Sequence, residues 1–441
     1  MGLFSGLFLN SKKSNYKFSE EPQIFFGCYT DRNKTKLQYD HWEKSLQQYK
    51  DKKYLNAYEH FFHYLEDVSM KNVLFKRDNN RINFEFVQGS KIVKGSVNDQ
   101  EIFAEAEVVR FDDISTPVMR TLLRENSKLY YSKFAIKNDI YSLKYFSPVE
   151  DASPKSLYNA LRELATEADL FDDVLIDEFD DVHPINMEHI KEISIEEKQL
   201  KLKYFRIWLN QTLQKVNSLE TEQDVKGVFF ILQTLLYKIY YLLAPQGVLL
   251  SDINDLQEKI SGNESDTIKE LNISIIAALK EIREKTDDEL MKSLYRVEAT
   301  FAVTRPASFS QVKSFINDKM KQTNDFIAGG QLDDAFENCE YILSYSSFSF
   351  GMPAVANDLL HVVWRIFHTS FFKDLGFVDE YYLEEDRKFN VELINAKIRT
   401  IISNAKKQYA KIKFKPENLD FSDKLKFSVS FFNEFQRLNY D

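Results

Sequence analysis

Apolar and polar residues change their spacing once within the first 111 positions of this chain. In residues 40–67 the apolar positions recur at steps of three and four, which predicts a helical hairpin or one helix broken near Lys52. In residues 82–111 the apolar positions alternate with polar ones, and turn residues such as Gly89 interrupt the alternation. A period of two predicts three consecutive strands here.

The pattern then returns to a helix, two strands and a helix. Ser115-Thr116-Pro117 is typical of a helix start, because a hydroxyl can cap the first turn and proline fits there. Two strand-like runs follow across the turn Lys137-Asn138-Asp139, and Ser153-Pro154 precedes the last helical run. The predicted unit is therefore an α+β module over residues 40–171.

The order helix, three strands, helix, two strands, helix resembles the type III secretion chaperone-like fold, and within it the YbjN-like proteins. The segments that carry the resemblance are INFEFVQGSKIVKGSV, VMRTLLRENSKLYYSKFAIKNDIYSLKYF and SPKSLYNALRELATEADLF. The resemblance implies a small module that usually forms dimers. It also implies a role in binding other polypeptides.

An acidic run, DDVLIDEFDD, begins at Asp172, and a proline follows at Pro184. The run lacks the glycine and the terminal glutamate of a calcium-binding loop, and it predicts a solvated linker over residues 172–194. Residues 195–441 have helical spacing almost throughout and predict an all-α domain with a further boundary near residue 304. Residues 1–39 are left as an N-terminal extension.

One segment of the helical region, residues 325–343, resembles the hairpin of a tetratricopeptide unit. Its sequence DFIAGGQLDDAFENCEYIL has two glycines at the turn, Ala335 where two helices would approach closely, and Leu343 further along. A second such segment, YKDKKYLNAYEHFFHYL, occurs near the N-terminus. Stacked repeats need neighbours, so an ordinary pair of packed helices remains the alternative reading of both segments.

Composition limits the class of protein. The 441 residues contain only 12 glycines and 9 prolines and are 44% hydrophobic, which predicts long helices and few irregular loops. The net charge is −10 with both signs mixed along the chain, which argues against a nucleic-acid partner. Two distant cysteines, Cys28 and Cys339, predict a reducing, cytoplasmic environment.

The N-terminus is apolar at Leu3, Phe4, Leu7 and Phe8, but it has no basic segment before this run and no cleavage pattern after it. It is therefore not typical of a signal peptide. Two alternatives remain: the run packs against its own protein, or it anchors the chain weakly to a membrane surface or a partner.

A second apolar segment covers residues 228–244. It is shorter than a bilayer requires, and Gln233 and Lys238 interrupt it. We predict a buried helix here, so that any contact with a membrane is peripheral and made through the N-terminus.

Searches for chemistry give no catalytic residue, no cofactor and no metal. Nucleotide-binding glycine motifs and the nucleophile elbow are absent from the sequence. His60 and His63 lie one helical turn apart, and His361 and His368 lie two turns apart, but neither pair belongs to a known ligand motif. We interpret all four as ordinary structural histidines.

The sequence predicts a non-enzymatic protein that holds another polypeptide, as a chaperone, adaptor or assembly factor. The expected contact surface is a face of the sheet that carries Tyr131, Lys133, Tyr141 and Tyr145, and this face is also a candidate for homodimer formation. The alternatives are a structural subunit of a larger assembly and, more remotely, an enzyme whose site is built from residues distant in sequence.

Overall fold

The computed structural model describes residues 17–27, 34–68, 70–112, 115–219, 225–262, 267–302 and 306–440. The predicted apolar anchor at Leu3, Phe4, Leu7 and Phe8 lies outside these residues, as does Cys28. An α+β region is followed by a mostly helical region, which confirms the predicted fold class.

The first region consists of two helices, a sheet and two further helices, with these bounds: α1 Lys36–Lys50, α2 Tyr54–Leu65, β1 Val73–Asp78, β2 Arg81–Gly89, β3 Lys91–Asn98, β4 Glu101–Phe111, α3 Thr116–Asn126, β5 Lys133–Lys137, β6 Ile140–Pro148, α4 Pro154–Glu178 and β7 Val182–Pro184. The remaining elements are α5 Ile195–Ser218, α6 Val225–Leu242, α7 Gly247–Gly262, α8 Ile268–Glu284, α9 Asp287–Lys292, β8 Glu298–Ala299, α10 Phe309–Ala328, α11 Leu332–Ser349, α12 Ala354–Phe367, α13 Thr369–Asp374, β9 Tyr382–Leu383, β10 Lys388–Phe389, α14 Val391–Ala405 and α15 Lys424–Phe435.

The chain is divided into two compact units. One contains the described residues between 25 and 306 and residues 344–352, and the other contains residues 17–24, 307–343 and 353–440. Helices α5–α9, which the sequence assigned to a separate helical domain, belong to the same unit as the sheet. We call this first unit the sheet unit and the second the helical unit.

The sheet has the strand order β1-β2-β3-β4-β6-β5, and all of these neighbours are antiparallel. Its first strand was missed by the sequence analysis, which predicted three strands before α3 where the structure has four. The reason is local: β1 reads VLFKRD, three apolar residues followed by three charged ones, and so it lacks alternation. The two-residue turn Asn79-Asn80 joins β1 to β2.

The core of the sheet unit lies between one face of the sheet and helices α2 and α4. The ring of Phe62 on α2 lies 4.5 Å from that of Phe84 on β2. Helix α4 begins where the sequence predicted, because the Ser153 hydroxyl accepts a hydrogen bond from the Ser156 amide and Pro154 occupies the first turn. Each fully buried large apolar side chain here contributes roughly 1.5–3 kcal/mol to stability.

The acidic run is not a solvated linker. Helix α4 continues through Asp172 to Glu178, and after a short turn β7 pairs with β4. The physical reason is that the apolar stripe of α4 continues into the run: Phe171 and Leu175 are buried one helical turn apart. Asp172 is buried on the same side, so its charge does not place it in solvent.

Helix α6, Val225–Leu242, is the one helix in the described part of the chain that is long and apolar enough to cross a membrane. More than half of its most apolar window is buried within the protein, as in the core helix of a soluble protein. Tyr237 on this helix stacks on Phe348, with ring centroids 4.7 Å apart.

In the helical unit, α10 and the start of α11 form the hairpin that the glycines predicted. Gly330 has a φ of +76°, which favours glycine, and it follows Gly329, the residue that caps the end of α10. Ala335 is fully buried, and Asn338 on α11 donates a hydrogen bond to the Thr323 hydroxyl on α10 at 2.8 Å. These contacts fix the two helices against each other.

Candidate functional site

The face of the sheet that points away from α2 and α4 is the first candidate site, and we call it the outer face. Side chains alternate along a strand between its two faces. On β4, Ile102, Ala104 and Ala106 are buried on the inner face, so Phe103 and Glu105 lie on the outer face. A cavity of about 400 Å³ opens on this face. It is lined by Arg81, Asn83, Ile92, Lys94, Gly95, Ser96, Phe103, Glu105, Glu107, Asn186 and Glu188.

A row of charged residues with alternating signs crosses the middle of the outer face. Register pairs Glu85 with Lys94, Lys94 with Glu105, and Glu105 with Lys144, so the row runs over β2, β3, β4 and β6. Lys144 Nζ lies 3.1 Å from Glu105 Oε1. Opposite charges directly across an antiparallel pair stabilise the sheet modestly. They also leave an ordered pattern of charge on the surface.

Two aromatic residues lie next to this row. Phe103 on β4 is in register with Phe146 on β6, and Phe146 is 61% exposed. Among the described residues, none buries most of the Phe146 side chain, which leaves an apolar ring open on a sheet face. The outer face thus combines an aromatic pair with a ladder of charges.

The structure places the four residues predicted for a binding face on different sides of the sheet. Tyr141 and Tyr145 are 1% and 4% exposed and belong to the core, so their assignment to an open face was wrong. Lys133 is exposed and pairs with Lys144, which places it on the outer face. Tyr131 is also exposed, but it precedes β5.

The error follows from register, which sequence reasoning did not use. Lys133 faces Lys144 across the β5–β6 pair, and Lys144 and Tyr145 are adjacent on one strand. Adjacent residues of a strand point to opposite faces, so Lys133 and Tyr145 cannot share a face. The signal that would have located Phe146 was its position next to Tyr145, with Leu143 and Tyr145 already occupying the inner face.

A buried cluster of charged residues is the second candidate, and we call it the Lys91 cluster. The Lys91 amine donates to Asp172 Oδ2 at 2.7 Å and to the Val108 carbonyl at 2.8 Å. The neighbouring Ser90 hydroxyl donates to the same Asp172 oxygen at 2.7 Å, and the Ser90 amide donates to Asp169 Oδ1 at 2.5 Å. These bonds attach the β2–β3 turn to α4.

Gly89 makes the close approach to α4 in this cluster. Its φ is +55°, and an added Cβ would come within 1.9 Å of the Asp169 carboxylate oxygens. Any larger residue at this position would displace the carboxylate and strain the turn.

The carboxyl groups of the cluster outnumber its lysine. Burial, and then the proximity of Asp172, raise the pKa of Asp169 to about 7 and that of Asp173 to about 9. Burial also raises the pKa of Asp172, and this outweighs the opposite effect of Lys91. No residue among those described donates a hydrogen bond to Asp172 Oδ1. The Lys91 amine contacts two groups of the fold itself, the Asp172 carboxylate and the Val108 carbonyl, so its role is structural.

The histidines form one unexpected cluster at the α1–α2 hairpin. His41 Nδ1 lies 3.0 Å from His60 Nδ1, and the rings of His41 and His63 are 4.8 Å apart. His63 also lies 3.2 Å from a Glu66 carboxylate oxygen. Within the described ranges, no three or more His, Cys, Asp or Glu side chains are arranged to hold a metal ion.

His361 and His368 lie in the helical unit. Burial, and then the Arg365 charge, lower the pKa of His361 to about 3, so its imidazole is neutral at physiological pH. The ring of His368 stacks on Trp364 at 5.4 Å.

A comparison of the chain with models of known protein families found no match, and a search of curated proteins found none either. The resemblance to the secretion-chaperone fold and to tetratricopeptide hairpins therefore stays a prediction from the sequence.

Proposed function

We propose that this protein binds another polypeptide in the cytoplasm through the outer face of its sheet, without catalysing a reaction, as a chaperone, adaptor or assembly factor. The observation that supports the proposal is the aromatic pair of an exposed Phe146 and a half-buried Phe103, next to a ladder of paired charges. An aromatic centre with a polar surround is the composition of specific protein interfaces.

The aromatic pair would supply most of the affinity. Phe146 leaves most of its ring in water in the free protein, so a partner that covers it recovers apolar area at roughly 25 cal/mol per Å². The cavity beside Phe103 gives a partner side chain a place to insert. Buried aromatic anchors in pockets are the residues whose loss weakens an interface most.

The charge ladder would supply orientation. A partner that places acidic groups over Lys94 and basic groups over Glu105 gains electrostatic complementarity, and a shift by one strand brings like charges together. The net charge of −10 keeps the chain soluble and weakens contact with nucleic acid. The buried thiol of Cys339 fits a reducing compartment.

A homodimer is the second candidate, and the order of charges along the ladder favours it. The row reads Glu85, Lys94, Glu105, Lys144 across the sheet. A twofold axis parallel to the strands would place Glu85 opposite Lys144 and Lys94 opposite Glu105 of a second copy. This order of charges is therefore self-complementary, as a symmetric interface requires.

Site-specific photocrosslinking tests the proposal. A photoreactive phenylalanine analogue replaces Phe146, and in a matched control it replaces Leu332, which is 55% exposed and lies in the helical unit. We expect a discrete protein adduct after irradiation of cells that carry the analogue at 146, and none from position 332. If both positions give the same adducts, or if 146 gives none, the outer face is not the binding surface.

The mass and stoichiometry of the adduct separate the candidates. An adduct of twice the chain mass identifies a second copy, and a different mass identifies another polypeptide. A structural subunit should keep a fixed stoichiometry during size-exclusion chromatography with light scattering, whereas a chaperone should exchange its client. The change Phe146→Ala should weaken either complex at least about tenfold, since aromatic anchors typically contribute 2 kcal/mol or more.

A further inference from the structure

A short extended segment of the helical unit is attached by side chains to a charged site on α12 and α14. We call residues 17–24 the strap; none of them lies in a helix or strand. The Ser19 hydroxyl donates to Asp379 Oδ1 at 2.7 Å, and the Ser19 amide donates to Asp379 Oδ2 at 3.1 Å. Two residues later, the Glu21 carboxylate accepts a hydrogen bond from Arg365 and lies 3.3 Å from Lys397 Nζ.

The receiving site is built independently of the strap. The Arg365 side chain is 2% exposed, and its guanidinium lies over the rings of Phe377 and Tyr381 at 4.8 and 4.2 Å. It donates to the Asp379 carbonyl at 2.6 Å and to the Tyr381 hydroxyl at 3.2 Å. These partners follow Arg365 within the same stretch of chain, so the guanidinium is positioned before any carboxylate arrives.

The charge of the site selects an anion. Burial alone would raise the pKa of Glu21, but Arg365 and Lys397 together outweigh burial and lower it. His361, on which both cations act, is neutral and adds no charge. Burial raises the pKa of Asp358, and this outweighs the opposite effect of Lys397, so this carboxyl group compensates the lysine less than an ordinary carboxylate would. The carboxylate of Asp379 is directed at Ser19, so it serves the hydroxyl and not the cations. A buried cation without a carboxylate partner is unfavourable, and the site therefore favours binding of a carboxylate.

The spacing of the strap residues defines the ligand. Residues two apart in an extended chain project to the same side, so Ser19 and Glu21 both reach the site while Glu20 between them is exposed. Lys397 also lies over the Phe18 ring at 5.3 Å. The recognised pattern is therefore an aromatic residue, a hydroxyl residue, any residue, and a glutamate.

We propose that Arg365, Lys397 and Asp379 form a second docking site, for an extended acidic segment of a partner protein with this pattern, and that the strap is its intramolecular occupant. The proposal is separate from the outer face of the sheet. The strap competes with the partner segment because both present a glutamate to Arg365 and a hydroxyl to Asp379. Binding in trans requires release of the hydrogen bonds and ion pairs that Ser19 and Glu21 make, and it leaves the helices of the unit in place.

The test uses the full chain with Glu21→Ala, which removes the carboxylate of the strap, and a fluorescently labelled peptide KFSEEPQI that reproduces residues 17–24. Fluorescence anisotropy measures the affinity. We expect the peptide to bind the Glu21→Ala chain at least about tenfold more tightly than the intact chain, since in the intact chain the strap competes for the same hydrogen bonds to charged groups.

Matched controls exist because Glu20 and Glu21 are adjacent and carry the same charge. A peptide with Glu20→Ala should bind like the original, and one with Glu21→Ala at least about tenfold more weakly. A full chain with Glu20→Ala should behave like the intact chain. Equal binding of the two altered peptides, or no binding of the original peptide to the Glu21→Ala chain, overturns the proposal.

Two further measurements guard against misfolding and against another occupant. Circular dichroism checks that the Glu21→Ala chain is folded, and Ser19→Ala replaces Glu21→Ala if it is not.

Adding Lys397→Ala to the Glu21→Ala chain should weaken peptide binding several-fold. An unchanged affinity contradicts the role of Lys397 in binding the carboxylate. A dimer of the intact chain that dissociates with Glu21→Ala would instead show strap exchange between copies, and would overturn a partner segment as the ligand.

Discussion

The two units of this protein each bury a cation, and they balance its charge in opposite ways. In the sheet unit, Lys91 is surrounded by Asp169, Asp172 and Asp173, so carboxyl groups are in excess. In the helical unit, Arg365 and Lys397 share Glu21, so cations are in excess at the carboxylate. The first arrangement retains protons and the second attracts an anion.

The difference shows that buried ion pairs can have different roles in one protein. Both partners of the Lys91 cluster come from secondary structure that the core holds firmly, so the pair fastens β3 to α4. The carboxylate at Arg365 comes from an extended segment outside any helix or strand. The ion pair of a buried cation with a carboxylate is therefore permanent in the sheet unit, and we propose that it is exchangeable in the helical unit.

The largest effect should follow from removing the buried lysine. Lys91→Met leaves Asp172 without its cation and should lower the free energy of unfolding of the sheet unit by about 3–5 kcal/mol. Chemical denaturation measures this loss. Lys94→Met is the matched control, because Lys94 is three residues away on the same strand but exposed, and it should change stability by less than about 1 kcal/mol. If both variants lose a similar free energy of unfolding, the Lys91 cluster does not hold β3 to α4.

The second effect is the change of stability with pH, which should have opposite signs in the two units. The raised pKa values of Asp169 and Asp173, about 7 and about 9, mean that the folded state keeps protons that the unfolded state has released above about pH 4. Stability of the sheet unit should therefore fall as pH rises toward these values, by up to about 1.4 kcal/mol per pH unit for each group. Asp173→Asn should flatten this fall in denaturation curves recorded from pH 5 to 9.

Glu21 gives the opposite sign in the helical unit. Its pKa is lowered in the folded state, so its contribution is present above the unfolded value near 4.5 and is lost as pH falls through the folded pKa. Release of the strap should thus begin only in acid. A stability of the sheet unit that rises between pH 5 and 9 would contradict the contrast between the units.

The smallest effect should come from the histidine cluster at the α1–α2 hairpin. Burial and the neighbouring imidazoles lower the pKa values of His41 and His60, with Lys44 acting in the same direction and Asp40, Glu59 and Glu66 against it. Stability from this hairpin is therefore present above about pH 6.5 and is lost as pH falls below it. His60→Gln should reduce this acid dependence, and thermal unfolding between pH 5 and 7 measures it. If stability depends on pH identically in the variant and the intact chain, the histidine cluster is not the cause of the loss in acid.

Much of the fold was predictable because its signals are local. The capping hydroxyls at Ser115 and Ser153, the turn at residues 137–139 and the alternation of β2–β4 are properties of short stretches, and the structure contains each of them. Strand β1 was missed because its local pattern does not alternate, and it is stabilised by pairing with β2. The helical continuation through Asp172 was missed because the acidic charges were given more weight than the apolar stripe, which Phe171 and Leu175 continue.

The candidate sites were far less predictable. The outer face depends on register between strands, so the sequence selected Tyr141 and Tyr145, which are buried, and missed Phe103 and Phe146. The pairs Lys91–Asp172 and Glu21–Arg365 join residues far apart in the chain. No local pattern indicates which acidic residue a buried cation will meet.

The sequence by itself determined that an α+β region precedes a mostly helical one, because periodicity and capping act over one or two turns of chain. Tertiary structure alone decided which sheet face remains open, where the chain divides into units and which carboxylates reach Lys91 and Arg365. The physical reason is that burial and charge pairing depend on distances between residues that are remote in sequence, and only the folded chain establishes those distances.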